Sequence, residues 1–201
     1  MQVKKRMVRK LVTIPPQTSI LNALKVIRNN SIRHLPVVDG GNFVGFVTEG
    51  DLRQASFLSM VDKVSIEDIM IKNPVTIGPD ASLDEAAKLV YAHRIGGLPV
   101  VKGKKLVGII TIVDILRAFI ELMGILQSSS RLDLVLGEKP HAFEEVSGIF
   151  KEHGTEIISV GMSNQKDRKK RIYYFRLEKC PLQPIVGSLK NKGYQVLSVT
   201  E

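Results

Sequence analysis

The stretch LPVVDGGNFVGFVTEGD at residues 35–51 decides the fold, because it returns, altered, as LPVVKGKKLVGIITIVD at residues 98–114. The offset is 63. It carries residues 7–55 onto residues 70–118 without a gap, and 19 of the 49 aligned positions are identical. Further out, Val12-Thr13-Ile14 matches Val75-Thr76-Ile77, Pro16 matches Pro79, and Ser19 matches Ser82. Identity at this level in a gap-free register marks a duplicated supersecondary unit, and duplication predicts two copies related by an approximate twofold axis.

Each copy reads as a short β-branched strand, a helix, two strands and a closing helix. In copy two, Ser82-Leu83-Asp84-Glu85 has the form of a capping box, and Leu83, Ala86, Ala87 and Val90 then follow helical spacing. Ile20, Ala23, Leu24 and Ile27 form the matching stripe in copy one. Asp39-Gly40-Gly41-Asn42 predicts a hairpin turn, and Lys102-Gly103-Lys104-Lys105 predicts its counterpart.

In both copies a strand runs out at a Thr and Thr-x-x-Asp opens a helix: Thr48/Asp51 and Thr111/Asp114. Thr followed three residues later by a carboxylate is the pattern of a helix cap. The same groups also suit a nucleotide, since amides at a helix start attract phosphate and an ionised carboxylate can accept from both hydroxyls of a ribose. A second feature is Ile32-Arg33-His34-Leu35-Pro36-Val37. Arg33 and His34 offer cationic contacts to phosphate, and Pro36, which lacks an N–H, leaves neighbouring backbone groups for an adenine edge. Copy two has Ile95-Gly96-Gly97-Leu98-Pro99-Val100 here, so the two sites are expected to be unequal.

Met70 followed by Thr76-Ile77, then Leu-Pro-Val-Val, Val-Gly-x-x-Thr-x-x-Asp and a closing helix, all occurring twice, resembles a tandem pair of cystathionine-β-synthase (CBS) domains, a Bateman module. The resemblance covers about residues 5 to 125. It implies clefts that bind an adenosine ligand such as AMP, ADP, ATP, NAD or S-adenosylmethionine. It places Asp51 and Asp114 on ribose, Thr48 and Thr111 on ribose or phosphate, Thr13 and Thr76 beside adenine with the backbone near Ile32 and Ile95, and Arg33 and His34 toward phosphate. Pro36, Pro99 and Gly96 complete the expected site.

Beyond Ser128-Ser129-Ser130 the repeat does not return. The remaining chain reads as strand 132–136, helix 142–152, strand 156–162, a basic turn, strand 171–177, helix 182–191 and strand 194–200, a βαββαβ order. Gly154 and Gly193 each stand where a left-handed helix stop is wanted. This segment, with Glu138-Lys139-Pro140 after its first strand, resembles an ACT domain. Amino-acid-binding members usually show Asp-x-Pro-Gly at the first turn. Here His141 replaces the glycine; Glu138, Pro140 and His141 are the candidate effector site, and dimerisation is the role the resemblance implies. The expected architecture is α/β (α+β): a CBS domain at 1–62, a second at 63–127, and a ferredoxin-like ACT domain at 131–201. A CBS pair followed by an ACT domain is also similar to the acetoin-utilisation protein B family.

Composition limits the alternatives. The 201 residues are 44% apolar and 24% charged with a net charge of +9, which suits a globular chain and permits an anionic partner. The cations cluster in Lys4, Lys5, Arg6, Arg9 and Lys10 and in the run from Lys166 to Arg171, without interleaved aromatics for base stacking. The N-terminus has no apolar segment of a signal peptide, no stretch is long and apolar enough to span a membrane, and the lone Cys180 has no disulfide partner. A cytoplasmic homodimer is expected. No nucleophile is placed with a base, and there is no P-loop, GxGxxG or metal-ligand cluster, so the expectation is a regulatory protein rather than an enzyme. It would have no catalytic cofactor or metal, and its ligand would be an adenine nucleotide. The alternatives are a structural CBS/ACT module without ligand and, on charge alone, a nucleic-acid-binding protein.

Overall fold

The computed structural model describes residues 1–57, 64–163, 167 and 170–201. The boundary expected at residues 62/63 and Lys166, Arg168 and Lys169 of the Lys166–Arg171 run lie outside the described residues. The chain forms two compact units, Met1–Leu116 and Arg117–Glu201.

In the first unit each copy is built on one antiparallel hairpin, β1 (His34–Asp39) with β2 (Asn42–Thr48) and β3 (Gly97–Lys102) with β4 (Lys105–Thr111). Gly40 and Gly41 both have positive φ, which a tight two-residue hairpin turn demands. Both hairpins carry a register shift at the same place, between Val37 and Val38 and between Val100 and Val101. The strand expected at residues 12–14 is reduced to one parallel bridge: the Ile14 amide donates to Pro36 O, and Val38 N donates to Ile14 O. Ile77 makes the same pair of bonds with Pro99 and Val101.

Helices α1 (Ile20–Asn30) and α4 (Leu83–His93) start at Ser19 and Ser82, whose hydroxyls accept from the amides of Asn22 and Glu85. They stop at left-handed Ser31 and Arg94. Ile20, Ala23 and Ile27 are buried on α1; Leu83, Ala86 and Val90 are buried on α4. Helix α2 (Glu49–Ala55) follows β2, α3 (Ile66–Ile69) leads into copy two, and α5 (Ile112–Leu122) follows β4. The last of these helices ends at Leu122. Gly124 turns left-handed there, and Ile125 N donates to Ile120 O, an end of the Schellman type.

The copies close by exchanging their leading segments. Val8 bridges Ile109 of β4, and 63 residues on, Ile71 bridges Phe46 of β2. Gln2 bridges Ser82 as Ser65 bridges Ser19. Val3 N donates to Ala81 O as Ile66 N donates to Thr18 O. The glycines of the repeated Val-Gly pair have a steric reason. A Cβ on Gly45 would lie 2.3 Å from Met70 Sδ, and one on Gly108 would lie 2.4 Å from Met7 Sδ. Each methionine lies over the other copy's hairpin, and only a residue without a side chain leaves it room.

The second unit is a four-stranded antiparallel sheet in the order β6-β7-β5-β8, with β5 (Ser129–Val135), β6 (Ile157–Met162), β7 (Ile172–Glu178) and β8 (Gln195–Thr200). Helices α6 (Ala142–Glu152) and α7 (Leu182–Asn191) fall at the expected positions, followed by left-handed Gly154 and Gly193. Strand β5 begins three residues earlier than expected. Ser130, with its side chain fully buried, explains the extension: its hydroxyl donates to Cys180 O and accepts from Cys180 N. The core joins Leu132 and Leu134 of β5 and Phe175 of β7 to Val146, Ile149 and Phe150 of α6 and to Leu182, Ile185 and Leu189 of α7. Phe150 meets Phe175 edge to face at 5.2 Å. Each such side chain contributes about 1.5–3 kcal/mol on leaving water. Among the described residues no helix is long and apolar enough to cross a membrane.

Candidate functional site

The first unit holds a cavity of about 680 Å³, within the roughly 300–1,000 Å³ typical of small-molecule sites. The leading segment of copy one supplies Val8, Lys10, Leu11 and Val12; the turn after α1 supplies Ser31, Ile32, Arg33 and His34; the junction of β2 with α2 supplies Thr48, Glu49 and Gly50. Copy two supplies Gly96, Ile109 and Thr111 to Asp114. The exchange of leading segments explains the mixture, because the Val8–Ile109 bridge carries residues 10–12 to the β4 side.

Both Thr-x-x-Asp motifs form complete capping boxes. Asp51 Oδ2 accepts from the Thr48 amide (2.8 Å) and hydroxyl (2.7 Å), while Asp51 N donates to Thr48 Oγ1 (3.3 Å). Asp114 and Thr111 repeat the pattern at 2.9, 2.6 and 3.3 Å. One carboxylate oxygen is thus committed to the cap. Oδ1 of each Asp makes none of these bonds and retains its acceptor capacity.

His34 reaches from copy one to copy two. Its ring stacks on Phe46 at 5.8 Å with an interplanar angle of 18°, and its Nε2 is what a Cβ on Gly96 would meet at 2.9 Å and one on Gly97 at 3.3 Å. The glycine pair of copy two is therefore the space that this imidazole uses. Burial pushes the His34 pKa below its ordinary value, and the neighbouring Arg33 guanidinium pushes it the same way, which favours the neutral ring.

The cavity gathers Ile32, Arg33, His34, Thr48, Gly96, Thr111 and Asp114 of the expected residues, whereas Thr13, Pro36, Asp51, Thr76, Ile95 and Pro99 do not line it. Thr13 is exposed, between Val12 at the cavity and Ile14 in the core. Pro36 and Pro99 are buried in their strands, and their carbonyls accept from Ile14 and Ile77, so they do not free backbone groups for a ligand. Arg33 and His34 share the cavity with Asp114 of the other copy, not with Asp51 of their own. Lys10, Glu49, Ile112 and Val113 went unforeseen, because the sequence carries no sign that the leading segment of one copy crosses to the other. Glu138, Pro140 and His141 are exposed on the turn before α6 in the second unit and are not among the lining residues. His141 adopts φ 58°, ψ 18°, the backbone a glycine takes more readily. Among the described residues no three His, Cys, Asp or Glu side chains cluster to hold a metal ion.

The family model described as CBS domain matches residues 2–57 and again residues 66–121. The chain belongs to the CBS domain family. CBS-pair proteins are generally regulatory rather than catalytic, and enzymes stand among the relatives of this chain. The CBS domain pair of protein MJ0100, solved with 5′-methylthioadenosine and S-adenosyl-L-methionine, is 35% identical, with 59% of this chain and 95% of that one covered at a TM-score of 0.55. CBSX2, solved with AMP, is 28% identical over 60% and 96% of the two chains with a TM-score of 0.54. A Vibrio cholerae structure named for acetoin utilization (AcuB) is 31% identical over 62% and 94%, with a TM-score of 0.56. Two curated relatives are much longer. The chain spans 22% of an inosine-5′-monophosphate dehydrogenase from Korarchaeum cryptofilum and 38% of one from Methanocaldococcus jannaschii.

Proposed function

We propose that this chain is a regulatory sensor of an adenosine ligand, bound in the CBS cavity. The observation that carries the reading is the meeting of Thr111 and Asp114 with Arg33 and His34 in one cavity. Asp114 Oδ1 would accept from the ribose hydroxyls, and Arg33 and Lys10 would donate to whatever anion the ligand bears. Val12, Ile32 and Ile112 line the same cavity and offer apolar surface to a base. Relatives solved with AMP, 5′-methylthioadenosine and S-adenosyl-L-methionine support the ligand class. Thr13, Thr76, Ile95 and Asp51 then belong to the matching cleft or to the frame around it.

The second unit is read as an ACT-like domain, on its ferredoxin-like βαββαβ order and on the left-handed backbone at His141. Its proposed roles are homodimerisation, through the open edges of a four-stranded sheet, or a second effector site. A regulated partner enzyme and a cytoplasmic setting belong to the same reading. One observation favours a structural CBS pair without ligand: the capping boxes alone account for both Thr-x-x-Asp motifs.

Thermal shift against AMP, ADP, ATP, NAD and S-adenosylmethionine decides between the two. At about a hundredfold excess over Kd a ligand that binds only the folded state adds ~2.7 kcal/mol. At least one of the five should therefore raise Tm by several degrees, and Asp114→Ala should remove the rise. No rise with any of the five leaves the structural reading.

A further inference from the structure

The cations at the cleft are shared unevenly between the copies, and the unevenness points to a ligand class. Lys10, Arg33 and His34 line the Asp114 cavity. At the positions 63 residues on stand Asn73, Gly96 and Gly97, so the matching Asp51 cleft lacks all three side chains. Arg94 does not compensate, because it replaces Ser31 rather than Arg33 and ends α4 in a left-handed conformation. Where copy one carries basic side chains, copy two has bare backbone against which the His34 ring already lies.

The charge inside the Asp114 cleft favours an anion. Glu49 is ion-paired with Arg53 on the first turns of α2, and Asp114 is committed through one oxygen to its cap. Lys10 and Arg33, both exposed, are left to meet a ligand. A nucleoside phosphate answers both groups at once: its ribose hydroxyls donate to Asp114 and its phosphate accepts from Arg33 and Lys10. A thioether at the 5′ carbon gives the two cations nothing to bind. A sulfonium adds a third positive charge beside them, and its amino-acid tail brings no net charge to offset it.

Resting on the reading of the cavity as an adenosine site, we infer that it selects a nucleoside phosphate, one per chain, over adenosine ligands whose 5′ substituent is a thioether or a sulfonium. Calorimetric titration of the full chain with AMP, ADP, 5′-methylthioadenosine and S-adenosylmethionine tests this. AMP or ADP should bind at one equivalent per chain and at least about tenfold more tightly than the other two, the size of a lost charge-assisted hydrogen bond. Arg33→Ala, and separately Lys10→Ala, should remove that advantage while leaving 5′-methylthioadenosine unaffected; Arg94→Ala should change nothing. Equal affinity for the thioether or sulfonium, two equivalent sites, or undiminished AMP binding in both cation variants overturns the selectivity and leaves the sensor intact. Failure of all four ligands to bind overturns both.

Discussion

Copy one and copy two share the main side-chain contacts of their closure and their strand ends: Met7 lies over Gly108 as Met70 lies over Gly45, and each hairpin ends in a Thr-x-x-Asp cap with the same four bonding groups. They part company at the cleft. Arg33-His34 corresponds to Gly96-Gly97, and Glu49, Gly50 and Arg53 correspond to Ile112, Val113 and Leu116, which are exposed and apolar. Duplication has kept what closes the pair and varied what looks outward. A symmetric frame can therefore carry an asymmetric site, provided that the closure contacts are equivalent and the cleft residues are not.

The equivalence of closure is the claim with the largest energetic signature. Gly45→Val and Gly108→Val each force a branched side chain into the path of a methionine, and each should cost about 1–3 kcal/mol, the usual range for overpacking. Urea unfolding of the two variants should give similar losses. Combining Gly108→Val with Met7→Ala should recover part of the loss, as expected for residues in direct contact. A large loss in one variant with none in the other would show that only one half of the exchange holds the pair together.

The capping boxes sharpen the same comparison at a smaller scale. Thr48→Ala and Thr111→Ala remove matching hydroxyls and should each lower stability by about 0.5–2 kcal/mol. Function should separate them. Thr111 lies beside Asp114, whose carboxylate its hydroxyl orients, so Thr111→Ala should weaken nucleotide binding more than Thr48→Ala does at equal cost in stability. Equal weakening would return the two motifs to a purely structural role.

Much of this was legible in the sequence. A gap-free offset of 63 announced the pair, and Gly154 and Gly193 marked the helix ends of the second unit. The repeat nonetheless runs further than identity shows: Val3 and Ile66 are buried alike, and Lys4 N donates to Pro79 O as Glu67 N donates to Pro16 O. Residues 2–6 and 65–69 look unrelated because backbone hydrogen bonds place no demand on side-chain identity. The crossing at the cavity was hidden for a different reason. Thr48, Asp51, Arg33 and His34 are neighbours in sequence and invite one site, whereas the leading segment pairs with the other copy's strand and brings Arg33 to Asp114. His141 stood out as the replacement of a glycine, but its left-handed backbone was hidden, because that region is rare for a residue with a side chain.

The smallest expected effect belongs to His34, which has no counterpart at Gly97. Its pKa in the folded chain lies below the ordinary histidine value, first through burial and then through Arg33. In the unfolded chain it titrates near 6.5. As the pH falls below that value the unfolded state takes up the proton first, so the stability held by the neutral ring is complete above it and is lost as the pH falls through the folded value. His34→Gln should flatten the fall in Tm between about pH 7 and pH 5. A bound phosphate works in the opposite sense, because an anion facing Arg33, Lys10 and the imidazole raises the pKa of the ring. At pH 6 the proton balance of AMP binding, read from the dependence of the calorimetric enthalpy on the ionisation enthalpy of the buffer, should then lie further toward uptake than in His34→Gln, where only the phosphate's own second ionisation, at about pH 6, remains to respond to the cations. If the two proteins showed the same proton balance, the imidazole would not take up a proton on binding, and the asymmetry between the copies would rest on Arg33 and Lys10 alone.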